Sequence, residues 1–394
     1  MLDKIKQLGS SFFCLNLKRE IKELYASIFI LNFALSAVNL FEPVFIYLLF
    51  AKSWSVAQAV QGVLLYYLSV YLIYFFVVPL GAKFAKRFGF EHSIALGSVF
   101  TVLLYLTLFA SQQNFWFLGI SVLCYIASKS FFWPAYHADF AYFATDGAQG
   151  KQISNLSVLD AIVFVLGPLF GGLVLNYFGF NVLFLIASII ILLSNVPMLL
   201  TKEQFTPSEF SYREAFSTLF DKKHRRRFFA HLGFGEELIV LVVWPIFIYI
   251  VVADFLKLGT LAAVAVLITT IVSLYVGKII DGRDKQSVMR YGVFFYVLAW
   301  FFRLLSRTIY PVFAVDTLSR VAKQVIAIPF VAFTYQKAND GHHVMRAVVF
   351  FEMALVFGKI LALILSLVIF QFIEPGWNAV FILAGLFTTL YLLL

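Results

Sequence analysis

The chain has 394 residues, of which 62% are hydrophobic and 13% charged, with a net charge of +9. Its mean hydropathy of +0.92 is more oil than a water-soluble fold of this length can hide, which excludes a soluble globular protein and makes the bilayer the solvent. The basic excess comes without any sizeable polar domain, so nucleic acid is excluded as a partner.

Twelve apolar segments, each with the roughly 20 residues needed to cross about 30 Å of hydrocarbon, run in chain order. The first six lie near 24–50, 55–80, 93–111, 115–137, 153–177 and 180–200, and a second six near 230–253, 258–280, 288–307, 310–335, 347–373 and 376–394. The predicted organisation is therefore a six-helix bundle over 1–200, a cytoplasmic basic linker over 201–229 and a second six-helix bundle over 230–394. The linker ends in Lys222-Lys223-His224-Arg225-Arg226-Arg227, a juxtamembrane anchor beside anionic lipid. Thr206 to Glu209 and Ser211 to Glu214 both have capping-box spacing, which predicts a short interfacial helix there.

Basic residues set the orientation. Lys18, Arg19, Lys83, Lys86, Arg87, Lys151, Arg283 and Lys337 lie in the N-terminal segment or in even-to-odd connections, against Lys52, Lys257 and Arg307 on the other side. This asymmetry places both termini in the cytoplasm and the protein in the inner (plasma) membrane. Met1 to Lys22 lacks the short apolar core and cleavage site of a secretory signal. Cys14 and Cys124 are too few for a disulfide framework or metal cluster. His342-His343 reads as a solvated pair, and the sequon at Asn155 faces the cytoplasm.

The two halves repeat one another. Glu42-Pro43-Val44-Phe45-Ile46-Tyr47 in span 1 echoes Trp244-Pro245-Ile246-Phe247-Ile248-Tyr249 in span 7. Lys129 and Pro134 in span 4 correspond to Lys323 and Pro329 in span 10. Asp160 before Gly167 in span 5 matches Glu352 before Gly358 in span 11. Three matches in the same order, each with a proline or a charge at membrane depth, indicate a duplicated unit. Parallel six-span repeats with a site between them are a transporter architecture.

On these residues the chain resembles the major facilitator superfamily along essentially its whole length. The superfamily's loop between spans 2 and 3 survives here as Arg87-Phe88-Gly89, with Ala82 and Lys86 in place of its Gly and Asp. The equivalent loop between spans 8 and 9 keeps Gly277 and Asp281. The resemblance implies a conformational latch at Asp281, where an acid bonds helix N-termini when the cytoplasmic side closes. Gly167-Pro168-Leu169-Phe170-Gly171-Gly172 is similar to the end of the antiporter signature of drug-exporting members, although Val163 replaces its upstream Gly. These small residues also serve plain helix packing, and Pro168 bends a membrane helix. The implied fold is an all-α membrane protein of twelve transmembrane helices in two pseudo-symmetric six-helix bundles.

In that layout spans 1, 4, 7 and 10 line a central cavity and spans 3, 6, 9 and 12 face lipid. Charge follows suit: spans 3, 6 and 12 carry none, and between the arginines at its two ends, Arg290 and Arg307, span 9 has only Arg303, read here as snorkelling from its outer end. A charge at mid-membrane costs at least about 2.5–3.5 kcal/mol, so the others should face protein or water. Asp316, Arg320 and Lys323 share one face of span 10; Glu352, Lys359 and Ser366 form a stripe on span 11; Asn32, Ser36, Asn39 and Glu42 share an arc of span 1. Arg320, Lys323, Lys129, Asn39 and Trp133 are the expected substrate contacts, an anionic solute being one option. Glu42, preceding a proline and without an evident basic partner, is the expected proton carrier, with Glu236 and Asp316 in reserve. Asp160 with Lys129, and Glu352 with Lys323, are expected as structural ion pairs or gates, as is Lys359. The expected function is secondary active transport of a small solute by alternating access, proton coupled, in a monomer contacting only solute and membrane lipid. No Walker or Rossmann glycine pattern occurs, so no cofactor or enzymatic activity is expected. The alternative is a polytopic membrane protein that does not transport, such as a lipid-modifying enzyme or a sensor.

Overall fold

The computed structural model describes residues 19–143, 149–200, 210–280, 285–338 and 344–393. Span 1 consists of α1 (Arg19–Asn39) and α2 (Glu42–Ala51), followed by α3 (Val56–Phe88), α4 (Phe90–Ser111) and α5 (Trp116–Phe143). The long α6 (Gln149–Met198) contains two crossings that meet at Gly179, whose φ of 78° and ψ of −179° are not helical. After α7 (Tyr212–Leu219), span 7 is built from α8 (Arg225–Leu232), α9 (Gly235–Leu238), a π-helical turn (Ile239–Val243) and α10 (Trp244–Val252). The remaining crossings are α11 (Phe255–Ile280), α12 (Lys285–Arg303), α13 (Ile309–Ala338), α14 (Val344–Phe372) and α15 (Trp377–Thr389), the last prolonged by a 3-10 turn (Leu390–Leu393). The helices supply the twelve crossings expected; eight helical segments, one of them (Ala161–Met198) holding both crossings of α6, are long and apolar enough to span. Span 10 falls short on hydropathy because it carries Asp316, Arg320 and Lys323, and α15 is short.

Several connections are as tight as the chain permits. Gly89, with φ of 111°, is the sole residue between α3 and α4. Gly179 turns the chain between spans 5 and 6 in the same way. Such φ values lie outside the range L side chains tolerate, so glycine is required at both. Ser55 opens α3 with a full capping box: its Oγ accepts from Gln58 N–H while its own N–H donates to Gln58 Oε1 at 3.1 Å. In the linker Ser211 accepts from Glu214 N–H to start α7; the alternative start at Thr206 lies outside the described residues.

Large apolar side chains cover the outward faces, including Leu185, Ile189, Leu192 and Leu193 of span 6 and Phe294, Phe295, Phe301 and Phe302 of α12. In a bilayer these faces are solvated by acyl chains. The contacts between the two sets of six helices run chiefly through α6 with α11 and α3 with α14. The first is a backbone contact: a Cβ on Gly172 would lie 2.8 Å from Phe255 O, and one on Gly259 only 2.3 Å from Pro168 O. On its other side the same stretch of α6 meets α1, where a Cβ on Gly171 would fall 2.1 Å from Ala37 O. Gln61 donates to Gln371 across the same end of the bundle, at 3.3 Å. At the opposite end α7 lies against α3 and α14, with Tyr212 Oη donating to Phe76 O at 3.1 Å and Glu214 paired with Arg346.

Candidate functional site

Each set of six helices begins with a broken helix, and the breaks fall at the two prolines of the repeat. In span 1 the chain leaves helical pairing after Asn39 and α2 restarts at Glu42-Pro43. A proline in the first helical turn costs nothing, because its missing N–H would have no intrahelical acceptor there. In span 7 the π-turn ends where α10 restarts at Trp244-Pro245. Breaks of this kind at membrane depth belong where the chain lines protein or water, and π-turns cluster at functional sites.

Around the break in span 7 two ionic clusters form inside the second half. Glu236, fully buried, binds Lys323 Nζ and accepts from Tyr391 Oη at 2.9 Å on one oxygen and from Tyr296 Oη at 2.5 Å on the other. Asp316 accepts from Arg320 Nε at 2.7 Å and from Trp244 Nε1 at 2.9 Å. Thus Arg320 and Lys323, which share a face of α13, are each held by a carboxylate. The expected pairing of Lys323 with Glu352 does not form. Lys323 turns into its own half toward spans 7, 9 and 12, while Glu352 faces the first half. Arg303 also departs from expectation. It does not snorkel: it is 1% exposed and packs between Trp244 and Trp300, because the turn after α12 leaves its side chain pointing at α13, where Nη2 donates to Ser319 Oγ at 3.0 Å.

A third group of polar residues spans the two halves. Glu352 of α14 accepts from Tyr74 Oη of α3 at 3.1 Å and lies 3.6 Å from His137 Nε2 of α5. Trp133 stacks on that imidazole at 5.5 Å. Lys359 of α14 pairs with Glu237 at 2.8 Å. Lys129 of α5 sits over the rings of Tyr71 and Tyr125, at 5.1 and 4.9 Å from their centroids, and Lys359 approaches the same Tyr71 at 5.6 Å. One ring therefore separates a cation of the first half from a cation of the second. Among the described residues Lys129 has no carboxylate in ion-pair contact; its ammonium is held only by aromatic faces, an attraction of roughly 0.5–2 kcal/mol.

The sequence reading missed the tyrosines. Tyr67, Tyr71 and Tyr74 follow i, i+4, i+7 along α3 and present one face. Tyr67 Oη donates to Glu42 Oε1 at 3.0 Å, Tyr71 carries Lys129, and Tyr74 holds Glu352. That periodicity is plain in the sequence, but tyrosine reads as an apolar body unless its hydroxyl is counted. Of the other expected site residues, Glu42 is buried with Tyr67 as its partner, whereas Asn39 is exposed at the end of α1. Arg87 stacks over Phe88 at 5.3 Å beside the Gly89 turn. Gly277 lies in α11, and Asp281 falls outside the described residues, as does the side chain of Asp160.

The sequence profile of the Major Facilitator Superfamily matches residues 24–315. The chain belongs to the Major Facilitator Superfamily. It is a multi-pass membrane protein and, as a member of that superfamily, a secondary transporter. Among solved structures the facilitator fold is seen in "Crystal structure of a POT family transporter in complex with 5-aminolevulinic acid", which superposes with a TM-score of 0.68 over 97% of this chain and 96% of that one at 13% identity. No curated protein matches the sequence.

Proposed function

We propose that this facilitator carries a small solute bearing an anionic group across the inner membrane, both termini in the cytoplasm, by rocking the bundle of 1–200 against that of 230–394 about the 201–229 linker, with protons as the coupling ion. The observation that supports this is Lys129. Among the described residues Arg320, Lys323 and Lys359 each have a carboxylate partner, whereas Lys129, at the plane between the halves, has none and its N–H donors await an acceptor. An entering carboxylate would meet its ammonium first and Lys359 across Tyr71, with Trp133 flanking. Arg320 and Lys323, held by Asp316 and Glu236, supply the surrounding positive field and a second contact once those carboxylates exchange partners. Glu42 carries the coupling proton: it sits at the break in span 1, buried, and among the described residues its hydrogen-bond partner is the neutral hydroxyl of Tyr67, with no cation in contact.

The test is uptake into proteoliposomes of radiolabelled small carboxylates, 5-aminolevulinic acid among them, with and without an imposed pH gradient. Gradient-driven accumulation that a protonophore abolishes is expected. Lys129→Gln should remove uptake, and Glu42→Gln should leave solute exchange but uncouple it from the gradient. Accumulation indifferent to the protonophore overturns proton coupling, and unchanged uptake by Lys129→Gln overturns the anchor.

A further inference from the structure

The basic run that opens span 7 shows two unlike faces. His224 and Phe228 turn inward, their rings 5.4 Å from Phe350 and 5.7 Å from Phe357 of α14. Lys222, Arg225, Arg226 and Phe229 follow i, i+3, i+4, i+7 and share the outward face, where all four are exposed. Arg225 lies over the Phe229 ring at 5.7 Å. Arg226 Nε donates to the carbonyl of Leu393 at 2.7 Å, which brings the turn that ends span 12, with exposed Leu392 and Leu393, up to the same face. That turn also packs on the chain at Gly233, just past α8, where a Cβ would lie 2.9 Å from the Tyr391 ring.

Lys222, Lys223, Arg225, Arg226 and Arg227 put five positive charges into six residues. Asp221 stands next to them, and its Oδ1 caps the 3-10 turn Lys222–His224 by accepting from Lys223 N–H at 2.9 Å. Glu214 of α7 is bound to Arg346. Among the described residues none of the five cations is in ion-pair contact with a carboxylate. Depth decides what meets them. The apolar helical stretch Lys222–Val252 has 31 residues, and at 1.5 Å per residue it is roughly 45 Å long, enough to cross the headgroup layers as well as the hydrocarbon. Its basic end therefore lies among headgroups, and Phe229, two turns further in, at the border of the acyl chains. A soluble anion has no use for Phe229, Leu392 and Leu393, which are 38%, 45% and 39% exposed. A phospholipid uses both parts, phosphate against the cations and chain against the apolar side chains. A zwitterionic headgroup carries its own cation and offsets nothing, so charge complementarity favours an anionic one.

We propose that Lys222, Arg225 and Arg226 bind the phosphate of an anionic phospholipid whose acyl chain lies along Phe229, Leu392 and Leu393, where α8 meets the turn that ends span 12. The site lies outside the solute path and does not depend on what the solute is. Its occupancy ties the start of span 7 to the end of span 12, the two segments that bring Glu236 and Tyr391 to Lys323. It is tested on the full-length protein in detergent by following thermal unfolding as phosphatidylglycerol, or phosphatidylcholine with the same acyl chains, is added at increasing mole fraction in the micelle. Phosphatidylglycerol should give a saturable rise in Tm, whereas phosphatidylcholine and glycerol phosphate, the headgroup without chains, should give none. At a lipid fraction ten times the dissociation constant the unfolding equilibrium constant falls about elevenfold. Lys222→Gln with Arg225→Gln should weaken phosphatidylglycerol binding about fivefold per cation removed, the worth of one basic side chain beside anionic lipid. Lys83→Gln with Lys86→Gln removes the same charge from the connection between spans 2 and 3 and should leave binding unchanged. Equal rises with both lipids, or a rise with glycerol phosphate matching that with phosphatidylglycerol, overturn the site. So does an equal loss in the two charge variants, which would make net charge alone responsible.

Discussion

Lys323 of α13 reaches the fully buried carboxylate of Glu236, 87 residues earlier in the chain, and Tyr391 closes the triangle by accepting from the ammonium at 2.7 Å while donating to the carboxylate. Removing one partner of such a pair is far worse than removing both. Lys323→Met leaves a buried anion with only tyrosine donors and should cost about 3–5 kcal/mol. Lys323→Met with Glu236→Gln leaves no charge, so most of that loss should return. Unfolding in detergent measured on the three proteins checks this; equal losses in single and double variants would show that the pair carries no coupling.

Tyr74 and Glu352 form one of the polar contacts by which α3 and α14 grip one another, the other being Gln61 with Gln371 near the end of the bundle. Because the two residues belong to opposite halves, their coupling reports on how firmly the halves are held in this conformation. A double-mutant cycle with Tyr74→Phe and Glu352→Gln should give an interaction term of about 1 kcal/mol or more, as expected for residues in one hydrogen bond. His137, also against Glu352, should show a smaller term with Tyr74. Additive effects of Tyr74→Phe and Glu352→Gln on stability would remove this contact as a brace between the halves.

The sequence displays the twelve crossings and the duplication because acyl-chain solvation writes long apolar runs and the repeat conserves prolines at both helix breaks. Span 10 was legible as a polar face from the spacing of Asp316, Arg320 and Lys323, yet their partners were not. Spacing tells which residues share a face, whereas pairing depends on which helix stands opposite. Depth along the membrane pairs Lys323 with Glu352; rotation of α13 about its axis sends it to Glu236 instead. Arg303 misled for a related reason. A cation near a helix end is normally drawn to water, but here Trp300, three residues earlier, and Trp244 across the interface offer it aromatic faces inside the fold. The hydroxyls of Tyr67, Tyr71 and Tyr74 went uncounted because their rings satisfy the apolar pattern.

Two glycines of α6 separate backbone strain from packing. A Cβ at Gly179 would meet nothing within 4 Å, but the backbone there has φ of 78°. Gly179→Ala should therefore destabilise by about 1–3 kcal/mol through conformation alone. At Gly171 the backbone is helical and a Cβ would collide with Ala37 O at 2.1 Å. Gly171→Ala should cost as much or more and should also displace α1 from α6. Circular dichroism melts give the stability loss for both, and a disulfide introduced between α1 and α6 should form normally in Gly179→Ala but poorly in Gly171→Ala. Poor formation in both would mean that the turn at Gly179 positions span 5 as well.

The backbone contact of Gly172 with Gly259 sits at the same end of the bundle as the bond between Gln61 and Gln371, and both join opposite halves. Helices can approach this closely in a membrane only where side chains are absent. A valine at position 259 would put its Cβ within 2.3 Å of Pro168 O before its methyl groups are counted, so α6 and α11 must separate and this end must open. With Gln61→Cys and Gln371→Cys in place, oxidation should cross-link the halves readily, and solute transport should stop until a reductant is added, because alternating access requires this end to part. Adding Gly259→Val should lower the cross-link yield several-fold while leaving the folded yield intact. Efficient cross-linking in the Gly259→Val background would show that the glycine contact does not hold this end shut, and transport that continues through the cross-link would mean that this end need not open at all.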